Sequence, residues 1–329
     1  MSGNHGITTT MQEIHQVFDK SFKRIMQEAS SGAVIHFING LFDADFPLDA
    51  QVCFPNKESV FEDLHGIIIS DMLISVNGDH LFHLEAEIDD NLNMALRMFD
   101  YGYAEALKRK KPDADGVITL TFPQARVLYW ETTKATPDTL VLRLVFPDNS
   151  VHNFYIKTFK VLDHKLKEME SLGLALLLPF HILKFRKRVK AMRNSEERLA
   201  MVPELTSEIE NLLQTTTEFR KKGILTANDE VVIIGQIEIL YNQIYYPYGE
   251  FREAKGMIDE MVMSSIDKAL IKAKLSAAQD AAQNLARGKA EGKAEVAKTM
   301  LKDGLPIDAV IRYTGLSLAD IEKNPHIHF

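Results

Sequence analysis

Residues 67–88 form the most informative segment of this chain and read IIISDMLISVNGDHLFHLEAEI. The segment begins with a run rich in β-branched residues, passes the turn signal Asn77-Gly78, and continues as a second apolar run from His80. This pattern predicts a β-hairpin. Apolar residues recur at helical spacing on either side of it, which predicts one amphipathic helix over residues 11–29 and another over residues 92–111.

The predicted hairpin carries acidic side chains on one face. Glu85 and Glu87 are two residues apart on the second strand, so they point the same way. The position of Asp71 depends on the loop, because antiparallel partners keep a constant index sum. A two-residue turn pairs Asp71 with Leu84 on the wrong face, whereas a three-residue loop over 77–79 pairs it with Glu85. We predict the three-residue loop.

Carboxylates that converge on one part of a sheet repel one another, and a divalent cation removes that repulsion. Hard oxygen ligands of this kind suit Mg²⁺ or Mn²⁺. Such an ion lowers the pKa of a bound water and polarises a phosphodiester. The other interpretation is that the acidic residues from Glu85 to Asp90 form a solvated rim, and spacing alone leaves both open.

Four further runs with strand character follow the second helix, and the chain is predicted to be helical beyond them. The runs cover residues 116–122, 125–131, 139–146 and 151–158, with prolines between several of them. In the helical part, Asn194 and Glu197 form a variant of the capping-box pattern, and a strongly apolar helix is predicted over residues 229–245.

The last sixty residues predict a helical arm followed by a tail of short helices. The arm is alanine-rich and contains the tandem repeat Gly-Lys-Ala-Glu at 288–295, whose glycines weaken a helix and favour a semi-flexible segment. In the tail, a short helix over 296–301 would close at Gly304, a second would end at Gly315, and Ser317 would cap a third. This arrangement resembles a helix-turn-helix module, but it also suits a small helical cap or a self-association element.

Composition excludes several classes of protein. The 329 residues contain one cysteine, Cys53, so the chain forms no internal disulfide and no zinc site that needs two thiolates. The first residues lack the pattern of a secretory signal, and the most apolar stretch, 172–183, is too short to span a membrane. We expect a cytoplasmic protein without a membrane partner. The net charge of −8 does not by itself indicate nucleic acid, so local basic patches must decide.

Several motifs occur in a fixed order along the chain. They are Asp-Lys-Ser-Phe-Lys at 19–23, Ser-Asp-Met-Leu at 70–73, Leu-Phe-His-Leu-Glu-Ala-Glu at 81–87, Arg97-x3-Tyr101, and a tail from Glu291-Gly292-Lys293 through Thr314-Gly315-Leu316-Ser317 to Ile321-Glu322-Lys323. In this order they resemble the recombination-promoting nuclease/putative transposase family, which belongs to the PD-(D/E)XK nuclease superfamily. The resemblance runs over most of the chain.

This resemblance implies an α/β fold: a restriction-endonuclease-like mixed central sheet flanked by helices, followed by an all-α C-terminal region. It implies catalytic roles for Asp71, Glu85 and Glu87, with Asp71 and Glu85 as ligands of Mg²⁺ or Mn²⁺. The superfamily has lysine at position 87, and this family often has glutamine. A lysine would stabilise the attacking water and the pentavalent phosphate, which Glu87 cannot do. Glu87 is therefore a further metal ligand, a base with raised pKa, or the mark of an enzyme that has lost its activity.

Two pairs with helical spacing are weaker site candidates. Arg97 and Tyr101 lie one helical turn apart, so both can face the site or the DNA backbone; the other interpretation is a surface arginine and a tyrosine at the edge of the core. Asp19 and Lys23 have the same spacing, which indicates a local ion pair, while the family pattern alone suggests a place near the site.

Basic runs supply candidate contacts to DNA phosphates, although such runs are commonly solvated helix faces. The candidates are Lys108, Arg109, Lys110 and Lys111 in one run and Arg186, Lys187 and Arg188 in another.

The expected organisation has five parts. They are a disordered N-terminus (1–10), a PD-(D/E)XK nuclease-like core (11–185), a helical domain (186–265), the alanine-rich arm (266–295) and the helix-turn-helix-like tail (296–329). The expected function is a Mg²⁺-dependent DNA endonuclease that hydrolyses phosphodiester bonds by metal-activated water, acting on DNA as a homodimer. One alternative is a catalytically degenerate module that binds DNA or protein, and another is an oligomerisation scaffold.

Overall fold

The computed structural model describes residues 11–55, 62–63, 66–67, 72–88, 93–112 and 114–317. The chain divides into two compact units, residues 1–270 and residues 271–329. The first unit contains the β-sheets and most of the helices, and the second contains the tail.

A mixed six-stranded sheet organises the first unit. The described strands are β1 (Val52–Cys53), β2 (Glu62–Asp63), β3 (Gly66–Ile67), β4 (Met72–Val76), β5 (His80–Glu87), β6 (Lys111–Pro112), β7 (Ile118–Thr119), β8 (Gln124–Tyr129), β9 (Thr139–Val145) and β10 (Val151–Lys160). The six-stranded sheet has the order β1-β4-β5-β8-β10-β9, and β2-β3 and β6-β7 form separate pairs. Strand β8 runs parallel to β5 and β10, while the other neighbours are antiparallel. The four runs predicted after the second helix are confirmed as β7 to β10, with β7 much shorter than its run.

The β4–β5 hairpin has the predicted three-residue loop. Met72 pairs with Leu84 and Val76 pairs with His80, which leaves residues 77–79 as the loop. Asn77 and Gly78 adopt positive φ angles of 52° and 78°, a region that asparagine and glycine enter most easily. The loop prediction is confirmed. Asp71 itself lies outside the described residues.

Nine α-helices are described, and two 3-10 segments lie between them. The helices are α1 (Met11–Glu28), α2 (Ser31–Phe42), α3 (Met94–Lys108), α4 (Leu166–Ser171), α5 (Arg186–Ala191), α6 (Ser195–Lys221), α7 (Ala227–Ile244), α8 (Gly249–Lys302) and α9 (Ile307–Thr314); the 3-10 segments are Val161–Asp163 and Ala175–Phe185. The predicted first helix is confirmed as α1. The predicted cap of α6 is also confirmed, because the Asn194 side chain accepts a hydrogen bond from the Glu197 amide.

The prediction of a separate short helix over 296–301 is wrong. Those residues belong to α8, which is continuous from Gly249 to Lys302. Each glycine of the repeat costs about 1 kcal/mol relative to alanine. The alanine, lysine and glutamate residues around Gly288 and Gly292 favour the helix and offset that cost. The tail otherwise follows the prediction, since Gly304 and Gly315 have positive φ angles at the ends of α8 and α9.

The larger of the two hydrophobic clusters described in the first unit extends from Phe18 on α1 to Val262 on α8. The rings of Trp130 and Phe180 stack with their centroids 4.0 Å apart, and Phe22 packs edge-on against both. The core therefore does not divide at residue 185, where a domain boundary was expected. The apolar stretch 172–183, which is too short to span a membrane, is largely buried in this core. No helix in the described parts of the chain is long and apolar enough to cross a membrane.

Asp229 ties the first turns of two helices together. Its carboxylate accepts hydrogen bonds of 2.7 Å from the backbone amide and the hydroxyl of Ser30, the N-cap of α2. It also accepts bonds of 2.7 Å from the amide and the hydroxyl of Thr226, the N-cap of α7. The predicted helix over 229–245 thus begins two residues earlier, because Thr226 is the cap. The Asp229 side chain is buried, so water cannot replace these bonds.

We expect Asp229→Ala to lower the free energy of unfolding by about 3 kcal/mol, because buried donors at two helix N-termini lose their acceptor. Urea unfolding followed by circular dichroism measures the change. Asp138→Ala is the control, since this aspartate is 93% exposed and a surface ion pair adds little stability. Equal urea midpoints for the two variants would contradict this account of Asp229.

Glu250 links the first turn of α8 to the first turn of α6. Its Oε1 lies 3.0 Å from Nη2 of Arg198 and accepts a hydrogen bond from the Ser195 hydroxyl. The bond from Arg198, assisted by the one from Ser195, outweighs the effect of burial and lowers the pKa of Glu250 to about 2. The ionised carboxylate therefore stabilises the folded state.

This depressed pKa predicts a pH-dependent contribution to stability. The contribution is fully present above the ordinary glutamate pKa of 4.5, and it is lost as pH falls toward the folded-state value of about 2. Thermal unfolding of the wild type and of Glu250→Gln should therefore differ at pH 6 and converge as the pH approaches 2. A difference in Tm that stays constant over this range would show that the ionised carboxylate is not responsible.

Candidate functional site: the acidic face of the central strand

Strand β5 lies between β4 and β8, and both of its faces are covered. Phe82, Leu84 and Ala86 point into the main hydrophobic cluster. His83, Glu85 and Glu87 alternate with them and point to the other face. That face also carries Val127 and Tyr129 of β8, which are the strand partners of Glu85 and Glu87. Val127 and Tyr129 pack with Met94 and Met98 of α3. The acidic side chains therefore lie between the sheet and α3.

Helix α3 supplies the positive charge that these carboxylates need. Nη2 of Arg97 donates to Oε2 of Glu85 at 2.9 Å, and Nη1 donates to Oε1 of Glu87 at 2.7 Å. The other Glu85 oxygen, Oε1, lies 3.1 Å from Nε2 of His83. The Glu85 side chain has 0% exposure and that of Arg97 36%, so the pair connects the protein interior to the surface.

Arg97 stays protonated in this environment. Burial alone would lower the pKa of the guanidinium. The adjacent Glu85, followed by Tyr101 and Glu87, outweighs burial and raises the pKa above its ordinary value. Arg97 is therefore a permanent cation beside both carboxylates.

Tyr101 lies beside the same cluster, one turn after Arg97. The guanidinium carbon of Arg97 is 5.9 Å from the centre of the Tyr101 ring, and this ring meets the His83 ring edge-on at 5.4 Å. The structure thus brings Arg97 and Tyr101 to the acidic face together. Sequence reasoning missed His83, although its position two residues before Glu85 on the same strand was a usable signal.

The other acidic candidates lie elsewhere or are not described. Asp71, Asp89 and Asp90 lie outside the described residues. Asp19 and Lys23 form an ion pair of 2.6 Å on α1, which is the local pairing that their spacing indicated.

The first basic run is divided between a helix and a strand. Helix α3 ends at Lys108, whose amine binds Glu105 at 2.6 Å, and Lys111 belongs to β6. The prediction that the helix extends through Lys111 is wrong, because a residue before proline disfavours the helical conformation. Arg109 donates to the Gly78 carbonyl of the hairpin loop at 3.3 Å, which brings this run next to the hairpin. Lys110 and Lys111 are exposed.

The second basic run is largely engaged with carboxylates. Arg186 is inside the protein with 7% side-chain exposure, and its Nη1 lies 2.6 Å from Oε1 of Glu131. Lys187 approaches the same carboxylate at 3.5 Å, and Arg188 binds Glu204 at 2.9 Å. Arg186 therefore neutralises an internal carboxylate, a position that does not fit its expected contact with DNA.

Glu85 and Glu87 have the oxygen ligands that Mg²⁺ and Mn²⁺ prefer, and the Glu87 side chain keeps 11% exposure. Within the described ranges, however, no group of three or more histidine, cysteine, aspartate or glutamate residues could hold a metal ion. The two carboxylates thus fit a divalent cation in chemistry, but a metal centre would need a further ligand such as Asp71.

The tail forms a small hydrophobic cluster of its own. Ala294 and Ala297 on α8 pack with Val310 on α9, and the turn at Gly304 lies between the two helices. The third predicted helix, which Ser317 would cap, falls on residues 318–329, outside the described part of the chain. Two helices joined by a tight glycine turn are consistent with a helix-turn-helix domain.

Comparison with protein-family models finds a match on this tail. Residues 290–326 match the family model described as the C-terminal HTH domain of the Rpn/YhgA-like nuclease family. No curated protein and no solved structure matches the chain. The matched region supports the family resemblance drawn from the sequence motifs, and strand β5 lies outside it. The tail of this chain is therefore similar to the DNA-binding type of domain that ends a family of nucleases.

Proposed function

We propose that this protein is a divalent-metal-dependent DNA endonuclease of the Rpn/YhgA-like, recombination-promoting type. The observation that carries the proposal is the acidic face of β5, where Glu85 is fully buried beside Glu87 in the middle of a mixed sheet. The similarity of residues 290–326 to a nuclease-family domain supports it independently.

In this proposal Asp71 and Glu85 hold Mg²⁺ or Mn²⁺, and Glu87 is available as a further ligand or as a base. The observed hairpin register is the one for which we predicted Asp71 opposite Glu85. The bound metal would supply Lewis acidity and a water of lowered pKa. His83 lies 3.1 Å from Oε1 of Glu85 and Arg97 binds Oε2, so together they fix the orientation of this carboxylate.

Arg97 provides the positive charge that the motif lysine provides in related enzymes. Position 87 is a glutamate here, so a cation must come from another element. The guanidinium of Arg97 lies 2.7 Å from Glu87 and keeps its charge at any physiological pH. A fixed cation at this place stabilises negative charge that develops on a phosphate during hydrolysis.

DNA binding in this proposal uses two parts of the chain. The helix-turn-helix domain of the tail positions the duplex, and Lys110 and Lys111 contact phosphates near the hairpin. Two copies acting as a homodimer would cut both strands, in the cytoplasm. The second basic run contributes less, because Arg186 and Arg188 are already paired with glutamates.

One alternative is supported by a specific observation. Arg97 already binds one oxygen of each carboxylate, so both carboxylates have a cationic hydrogen-bond donor without a metal. A protein in which Arg97 stays bound to Glu85 and Glu87 and no metal enters would be a degenerate nuclease fold that binds DNA without cutting it. The two functions differ in whether metal enters the site.

The proposed activity predicts nicking of supercoiled plasmid by the wild type in Mg²⁺ or Mn²⁺, and no nicking in EDTA. Asp71→Ala and Glu85→Gln should each reduce the rate at least 100-fold, because each removes a proposed metal ligand. Asp138→Asn is the matched control for the loss of one carboxylate and should cut like the wild type.

Two results would contradict this prediction. Binding of plasmid without any metal-dependent nicking would favour the degenerate module. Nicking that survives in Asp71→Ala and Glu85→Gln would place the chemistry elsewhere in the chain.

If Arg97 and a metal ion compete for the same carboxylates, replacing Arg97 should lower stability without metal and increase the stabilisation by added metal. Arg97→Gln should lower the free energy of unfolding in EDTA by about 2 kcal/mol, since two carboxylates lose their charged donor. The same variant should gain more thermal stability than the wild type when Mn²⁺ is added, because the cation no longer competes with a guanidinium.

Thermal unfolding with and without Mn²⁺ measures both effects without any DNA. Arg24→Gln is the control, since Arg24 forms an exposed i,i+4 pair on α1. An Arg97→Gln protein that Mn²⁺ stabilises no more than the wild type would show that these carboxylates do not receive the metal.

A further inference from the structure

One face of the β9–β10 hairpin carries basic residues and an exposed aromatic ring. Strand β9 is at an edge of the six-stranded sheet. Alternate residues of both strands are exposed, and they belong to one face because they are paired in register. These residues are Thr139, Val141, Arg143 and Val145 on β9 and Val151, Asn153, Tyr155 and Lys157 on β10. This set, which we call the hairpin face, contains two cations and no carboxylate.

Arg126 extends the hairpin face toward the middle of the sheet. It pairs with Lys157 across β8 and β10, and its side chain is only 12% exposed. The carboxylate of Asp43 approaches the two cations at 3.9 Å and 3.8 Å, too far for a hydrogen bond. Burial lowers the pKa of Arg126, and Asp43 offsets this only in part. An anion bound at this point would therefore be favoured by two incompletely compensated charges.

A short chain of hydrogen bonds orders the outer part of the hairpin face. Nε of Arg143 donates to Oδ1 of Asn153 at 3.4 Å, and Nδ2 of Asn153 donates to the Tyr155 hydroxyl at 3.1 Å. Tyr155 is 63% exposed, so its ring is open to a flat apolar ligand. Lys157 and Asn153 are about 13 Å apart along β10, on either side of Tyr155. Arg143 is paired with Asn153, so Lys157 and Arg143 lie on opposite sides of the Tyr155 position.

We propose that the hairpin face binds single-stranded nucleic acid. The Tyr155 ring stacks on a base, and Arg126, Lys157 and Arg143 contact the phosphates on either side. An exposed aromatic ring between cations on a sheet is a surface that binds single strands with little sequence preference. The charge complementarity is local, since the whole chain carries a net charge of −8.

This surface is separate from the acidic face of β5. Arg126 pairs with Leu84 on β5, and Leu84 points away from Glu85. The hairpin face therefore lies on the side of the sheet opposite Glu85 and Glu87. Its binding can be measured in EDTA, so the proposal can fail or succeed independently of the proposed nuclease activity.

The test is fluorescence anisotropy of the full chain with a labelled 20-nucleotide oligothymidylate in EDTA, at several salt concentrations. Tyr155→Ala should weaken binding about tenfold through lost stacking, while leaving the salt dependence unchanged. Arg143→Gln with Lys157→Gln should instead flatten the slope of log K against log salt by about 1.4, since two phosphate contacts are lost. Lys134→Gln with Lys167→Gln removes the same charge from exposed positions elsewhere and should bind like the wild type.

Three results would overturn the proposal. One is the absence of oligonucleotide binding by the wild type at low salt, and another is wild-type binding and slope in both hairpin variants. The third is a dimer in sedimentation analysis that Tyr155→Ala converts to monomer without a change in oligonucleotide affinity, which would make β9 and β10 an interface between copies. A parallel titration with oligouridylate distinguishes RNA from DNA as the ligand, and tighter binding of either supports the proposal.

Discussion

A buried carboxylate at the centre of the sheet constrains the rest of this structure. Glu85 has no exposure to solvent, and a charge in that position is very costly unless a donor of opposite charge reaches it. The donor is Arg97, which must come from a helix packed directly over β5. Met94 and Met98 hold α3 in that place by packing against Val127 and Tyr129, so the hydrophobic contacts and the ion pair support one another.

Other buried acidic groups also have donors that satisfy them, and this affects where negative charge acts in the protein. Asp229 satisfies two helix N-termini, and Glu131 is matched by Arg186 inside the protein. Some of the negative charge in the sequence is thus internal and compensated, and does not act at the surface. Net charge is for this reason a poor guide to the partners of this protein. The exposed cations beside Tyr155 show that a chain of net negative charge can still carry a locally positive surface.

Much of the fold was predictable because local signals were strong. The turn signal Asn77-Gly78 and the alternation through residues 80–88 predicted the hairpin and the shared face of Glu85 and Glu87. The sequence left loops of two and three residues open, and the register of the structure decided for three. The cap at Asn194 was equally clear. The prediction over 296–301 failed because two glycines in an alanine-rich segment cost less than the surrounding residues contribute to the helix. The start of α7 was misplaced because the cap lies at Thr226, before the apolar run begins.

The sequence by itself determined the longer strands, their alternation and the spacing of Arg97 and Tyr101 on one helix, since these depend on residues close together in the chain. Only the tertiary structure decided that Arg97 bridges Glu85 and Glu87, and that Arg186 lies in the interior against Glu131. It also decided that Arg126 and Arg143 flank Tyr155 across three strands. The partner of a charged side chain depends on which distant segments the hydrophobic core brings together. Local sequence patterns do not predict that packing.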